Sequence, residues 1–159
     1  MNAPPPGYRP CAGIMLFARD GRVFVGRRID TPDAWQLPQG GIDEGEEPRA
    51  AALRELAEEI GTANVRVLAE HPDWLVYDLP PELAGRAWSG RWRGQAQRWF
   101  ACRLLGDDSE IDIAGVDHPE FDDWRWVTID EVPALAIAFK RTIYTALAES
   151  FRRYATPER

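Results

Sequence analysis

The sequence predicts an α/β fold in which a mixed β-sheet is sandwiched between helices. Two observations carry this. Apolar runs with strand-like alternation lie on both sides of one strongly helical stretch, Pro48 to Ile60, and a second helical period, Lys140 to Tyr154, closes the chain. Strands interrupted by one helix and ended by another can bury both faces of a sheet only if helices cover each face. With 159 residues, 45% of them apolar, and seven Trp, the chain is long enough for one core. A single domain over residues 1–159 is expected.

Taken in order, residues 1–7 are Pro-rich and read as a flexible tail. Cys11 to Arg19 and Val23 to Arg28 are apolar runs joined by Asp20-Gly21, a hairpin signal. Thr31-Pro32-Asp33 turns the chain into a short extended segment, Trp35 to Pro38. Val65 to Ala69, Trp74 to Leu79, Gln95 to Leu105 and Trp124 to Ile129 read as further strands. Residues 80–94, rich in Pro, Gly and Arg, read as a surface loop, and Glu110 to Asp123 as an acidic loop. Val132 to Ala136 suggests a short helix, and the last helix shows Ile143, Leu147 and Phe151 on one face.

The central helix makes an unusual physical demand. Pro48 suits its first turn, Ala, Leu, Arg and Glu fill its body, and Gly61 is a natural stop. At about 100° per residue, Leu53, Leu56, Ala57 and Ile60 form a core-facing stripe. Glu55, Glu58 and Glu59 fall on the opposite side, where like charges at i, i+3 and i+4 repel. Either solvent or divalent cations must compensate, since hard cations prefer carboxylate oxygens.

Composition narrows the partners. A formal charge of −7 argues against broad binding to duplex DNA, which relies on basic surface. It leaves a small anionic substrate open, because a bound cation reverses the local sign. Eighteen of the nineteen basic residues are Arg, which singles out Lys140. Cys11 and Cys102 lie far apart with no metal-ligand spacing and read as buried apolar residues. No apolar run is long enough to span a bilayer, so a reduced, cytoplasmic protein without a membrane partner is expected.

Gly40, Glu46, Arg54, Glu55, Leu56, Glu58, Glu59 and Gly61 stand at the spacing G-x5-E-x7-R-E-U-x-E-E-x-G-U, where U is a bulky apolar residue; Thr62 departs at the last position. This pattern resembles the signature of the Nudix hydrolases. The resemblance implies an α/β/α sandwich and hydrolysis of a nucleoside diphosphate linked to a second group. It implies Mg²⁺, or Mn²⁺ in its place, held by Glu55, Glu58, Glu59 and the carbonyl of Gly40. Arg54 would steady Glu58 by a charge-assisted hydrogen bond, and Glu46 would sit near the positive end of the helix dipole.

Further segments, among them Gly7 to Pro10, Trp35 to Gly41, Gly94 to Phe100, Pro119 to Phe121 and Phe139 to Arg141, resemble one subgroup. It comprises the bacterial RNA pyrophosphohydrolases and the related hydrolases of dinucleoside polyphosphates. That implies removal of pyrophosphate from the 5′-triphosphate end of RNA, or asymmetric cleavage of diadenosine tetraphosphate. Glu120 would bind metal or take a proton from water. Arg9, Arg28 and Lys140 would neutralise the polyphosphate, Phe139 would stack on a base, and Gln39, Tyr77 and Gln95 would contact substrate. Each has an ordinary structural reading as surface charge or packing. A hydrolase that cleans the nucleotide pool and an inactive binding module remain alternatives, and the oligomeric state stays open.

Overall fold

A computed structural model of the chain describes residues 3–158. The long strands β1 (Tyr8–Phe17) and β7 (Gly94–Leu104) run parallel, paired from Tyr8 with Gly94 to Phe17 with Arg103. They form the middle of a sheet ordered β3-β2-β1-β7-β5. Here β2 is Val23–Arg28, β3 Trp35–Gln36 and β5 Val65–Glu70. The remaining strands β4 (Gln39–Gly41), β6 (Leu75–Asp78) and β8 (Phe121–Val127) pair antiparallel with β1, β7 and β2. A mixed sheet results, as expected.

Both faces are covered because the central strands are apolar on both sides, which a half-solvated sheet would not need. On one face Ile14, Leu16, Phe24, Phe100, Cys102 and Leu104 pack against Ala51, Ala52, Leu56 and Ile60 of α1 (Pro48–Ile60). On the other, Met15, Phe17, Val25, Trp99 and Ala101 pack against α3 (Val132–Leu135) and α4 (Arg141–Phe151), chiefly through Ile143, Tyr144, Leu147 and Phe151. The hairpin at Asp20-Gly21 closes as its sequence demands, with the Ala18 N–H on the Arg22 carbonyl at 2.8 Å.

Several expectations need correction. Residues 80–94 are not a plain loop: Pro80 and Pro81 preset a helical turn, so α2 (Pro81–Ala84) forms there, followed by a tight turn at Ala87–Gly90. Phe121 to Asp123, assigned to the acidic loop, are strand; Phe121 is buried, and the Arg27–Asp122 ion pair at 2.8 Å offsets the acidic charge. Of the expected tail, residues 1–2 lie outside the described residues, and Gly7 is already tied down by the Arg93 N–H at 3.0 Å. Among the Trp residues only Trp99 is fully buried. Trp35, Trp74, Trp88 and Trp92 are half-buried and carry guanidinium groups over their rings instead.

Candidate active site

The site begins with the split in β1. Its Phe17 end leads through the hairpin into β2, whereas Cys11 to Gly13 pair with β4. That divergence lays Gln39, Gly40 and Gly41 alongside α1. Gly40 has no room for a side chain: a Cβ there would lie 2.0 Å from the carboxyl carbon of Glu55. The helix ends at Gly61, which takes the left-handed conformation (φ 83°) and donates its N–H to the Ala57 carbonyl at 3.0 Å.

Arg54 ties the acidic residues together. Its guanidinium meets Glu46 through Nε and Nη2, both at 2.8 Å, and donates to Glu55 at 3.0 Å and Glu58 at 3.2 Å. The same Nη2 also caps the Gly41 carbonyl at 2.9 Å. The motif's distant Glu46 and its Arg54 are therefore one bidentate pair, and this pairing holds the Glu46 carboxyl down at about 2. The expected link between Arg54 and Glu58 is present.

The acidic stripe opposite the core, expected of Glu55, Glu58 and Glu59, is only partly formed. Ala57 is exposed, Leu53 is half-buried and Glu59 is 2% exposed, so the helix is rotated toward presenting Glu59 to the sheet. Only Glu58 stands well into solvent. Burial, then the facing Glu120 carboxylate, raise Glu59 well above the ordinary carboxylate range, and burial also raises Glu55. One Glu59 oxygen accepts the Gln39 N–H at 3.1 Å; the other is buried with no partner. An orphaned carboxylate oxygen among Glu55, Glu120 and the glycine backbone is an all-oxygen donor set of the kind hard divalent cations take. The residues present fit such an ion. Among the described residues no three acidic, imidazole or thiol groups already meet as ligands around one point, with Arg54 drawing Glu55 and Glu58 to itself.

Glu55, Glu58, Glu59 and Glu120 line one cleft of about 610 Å³. Glu120 is fixed there because its carbonyl accepts the Ile29 N–H at 3.0 Å, just before β8 starts. Glu55 also borders a neighbouring cleft with Arg9 and Gly41. A third space, of about 520 Å³, is lined by Arg28, Tyr77, Gln95, Phe139 and Lys140. All the sequence-predicted contact residues except Gln39 thus border one of these spaces. Gln39 is buried, and its side chain accepts from Gln97 at 3.1 Å, so it acts on the site through its backbone.

Lys140 is 8% exposed, with its ammonium on Gln36 Oε1 at 3.1 Å and over the Tyr77 ring. Burial and the nearby Arg28 push its pKa down to about 8. Phe139 lies 5.4 Å from Tyr77 between ring centroids. Gln36 was not singled out by its sequence, although polar Gln between Trp35 and Leu37 is the kind of buried polar residue that needs a partner. Its Nε2 is buried without one. Cys11 is buried as expected; its thiol donates to Gln95, and burial pushes it up to about 12.

Among the described residues no helix is long and apolar enough to cross a membrane. A model of the NUDIX domain matches residues 7–147. An RNA pyrophosphohydrolase of Cereibacter sphaeroides is 56% identical over 148 residues, covering 91% of each chain. One from Rhodospirillum rubrum is 53% identical over 151 residues, covering 95% of this chain and 91% of that one. The E. coli dihydroneopterin triphosphate pyrophosphohydrolase has a TM-score of 0.71 at 22% identity over 90% of this chain and 98% of that one. An Ap4A hydrolase of C. elegans has 0.67 at 16% identity, over 91% and 98%. These two structures speak for the fold alone. With the NUDIX model matching residues 7–147 and a relative 56% identical over 91% of each chain, the chain belongs to the Nudix hydrolases.

Proposed function

We propose that this Nudix hydrolase, whose family works with divalent metals, uses Mg²⁺ to remove pyrophosphate from the 5′-triphosphate end of RNA. The observation that carries the reading is the pairing of two unlike spaces around Glu55 and Lys140. One is lined by carboxylates suited to a cation and the other by cationic and aromatic groups suited to a nucleotide phosphate chain. The names carried by relatives at more than half identity support RNA as the substrate.

In this reading Glu55, Glu58 and Glu59, with the Gly40 backbone, hold the metal, and Arg54 positions Glu55 and Glu58. A cation held there would supply polarisation of the phosphate oxygens and a lowered pKa for a bound water. Glu120 takes the proton from the attacking water, and the departing group leaves as pyrophosphate, or as one phosphate in each of two successive hydrolyses that each consume a water. Arg9, Arg28 and Lys140 offset the charge of the triphosphate. Phe139, braced by Tyr77, offers a face to a base. The whole chain acts as one catalytic domain in the cytoplasm.

Asymmetric hydrolysis of diadenosine tetraphosphate uses the same groups, since that molecule also joins an adenosine to a chain of phosphates. The test is a side-by-side specificity constant in Mg²⁺ for a short 5′-triphosphorylated RNA and for diadenosine tetraphosphate. Preference for the RNA is expected. Preference for the dinucleotide, giving ATP and AMP, would reassign the substrate. Turnover of neither would leave the chain to the nucleotide-pool reading.

A further inference from the structure

The segment joining β6 to β7 carries none of the residues assigned a role above, yet it is strongly basic. No Asp or Glu occurs from Leu83 to Gly106, while Arg86, Arg91 and Arg93 crowd into eight positions of a chain with net charge −7. Its ends are fastened. The Leu79 N–H donates to the Arg93 carbonyl at 2.8 Å, and Arg93 pairs with Asp78 at 3.1 Å. Between them Trp88 and Ser89 both take positive φ, 50° and 58°. For side chains larger than glycine this backbone conformation is strained.

That strained turn sets the Trp88 ring, half-buried, against the Arg9 guanidinium at 5.3 Å. Trp88 and Arg86 border the space that holds Tyr77, Phe139 and Lys140. Arg91 and Trp92 border the cleft that Arg9 shares with Glu55, and Arg91 lies 4.5 Å over the Trp92 ring. One short segment therefore supplies an Arg and a Trp to each of two neighbouring spaces, with the Arg9–Trp88 stack between them.

We propose that Arg86–Trp92 is a binding element for unpaired RNA, receiving the nucleotides that follow the reacting 5′ end. The inference rests on the RNA-end reading given above and adds how such a substrate is told from a dinucleotide. Guanidinium groups meet phosphates, and half-exposed indole rings accept any base by stacking. An acidic protein segment would use the charges but leave the rings idle. Diadenosine tetraphosphate has no phosphodiester chain beyond its second nucleoside, so the element acts on RNA alone.

The test uses the full chain carrying Arg86→Gln with Arg91→Gln, and separately Trp88→Gly, which removes the ring and relieves its backbone. Three substrates are compared: a triphosphorylated RNA of about eight nucleotides, a triphosphorylated dinucleotide, and diadenosine tetraphosphate. Binding of the same eight-nucleotide RNA with a 5′-hydroxyl end is read by fluorescence anisotropy, with polyglutamate as competitor. Either variant should raise KM for the longer RNA by about five- to tenfold at unchanged kcat, which corresponds to one base stack or a phosphate contact. The dinucleotide and diadenosine tetraphosphate, which offer the element one nucleotide or none beyond the reacting end, should change far less. The hydroxyl-ended RNA should bind the unaltered chain, lose affinity by the same factor in the variants, and resist polyglutamate. Equal effects on all three substrates, no binding of hydroxyl-ended RNA, or displacement by polyglutamate would overturn the proposal. Binding of that RNA without hydrolysis of any triphosphorylated end would instead sink the RNA-end reading and leave the element standing.

Discussion

The anionic and cationic halves of the site are built in opposite ways. The anionic half is almost local: Glu55, Glu58 and Glu59 share α1, and Arg54 on the same helix organises them. Helical spacing alone brings them together, so their relation is written in the chain as i, i+3 and i+4. The cationic half is collected from across the fold. Arg28 ends β2, Tyr77 is in β6, Gln95 in β7, and Lys140 immediately precedes α4. Only tertiary packing makes them neighbours. The anionic half is also partly neutralised from within, by Arg54. Lys140 has instead a neutral amide and an aromatic face for immediate company, and Arg28 close enough to depress its pKa further. Of the two halves, this one holds a buried charge that awaits an anion.

The largest effect should come from breaking the anionic half where it is most exposed. Glu58→Gln keeps size and removes one negative charge from a side chain that contributes little to packing. Steady-state kinetics in Mg²⁺ should show kcat falling about a hundredfold or more, with the melting temperature nearly unchanged. Near-normal turnover would remove Glu58 from the metal-holding set.

Lys140→Met sharpens the contrast, because it should weaken catalysis while not weakening the fold. Loss of a charged contact to phosphate should lower kcat/KM by about ten- to a hundredfold. The folded pKa of Lys140, about 8, lies below the ordinary 10.5. The unfolded chain therefore binds more protons between those values, and stability must rise as pH climbs from about 8 toward 10.5. Denaturant titrations at a series of pH values should show that rise in the unaltered protein and not in Lys140→Met. The variant should be at least as stable at pH 7, where the unaltered protein pays for a buried ammonium beside Arg28. A variant much less stable at pH 7 would mean that Lys140 is a packing residue.

How much of this was legible in the sequence follows from the same contrast. The sheet between helices could be read, because strand and helix periods are local signals. So could Glu55, Glu58 and Arg54, through their spacing. The burial of Glu59 could not: a hundred-degree wheel places it beside Glu55, yet β4 approaches that side of α1 and encloses it. Phe121 to Asp123 read as loop because the acidic pair hides a strand whose charge is met by Arg27 from β2. Gln36 was invisible as a partner of Lys140, since 104 positions separate them. The half-burial of Trp74 and Trp88 could not be read either, because the arginines over their rings, Arg98 and Arg9, lie far off in sequence.

Gly40→Ala tests how tightly β4 presses on the anionic half. The added methyl would meet the carboxyl end of Glu55, the movable tip of a side chain rather than backbone. The fold can yield there by swinging Glu55 aside, at a cost of about 1 kcal/mol. The carboxylate would then leave both Arg54 and the cleft, and activity should fall about tenfold with little change in melting temperature. A collapse of stability with activity per folded molecule intact would show that Gly40 serves the strand and not the site.

The smallest effect belongs to the Arg54–Glu46 pair, which supports the anionic half from outside it. Glu46 is held at about 2 in the folded protein against an ordinary 4.5. A depressed carboxyl contributes stability that is complete above its unfolded value and is lost as pH falls from 4.5 toward 2. Glu46→Gln abolishes that contribution. At pH 7 the variant should be less stable by on the order of 1 kcal/mol, and its deficit should shrink through that acid window as the unaltered protein loses its own advantage. Because Arg54 keeps Glu55, Glu58 and the Gly41 carbonyl, kcat should fall by only about two- to threefold. A loss comparable to that of Glu58→Gln would show that Arg54 cannot hold the carboxylates without its outer partner, and the anionic half would then extend from α1 into the loop that precedes it.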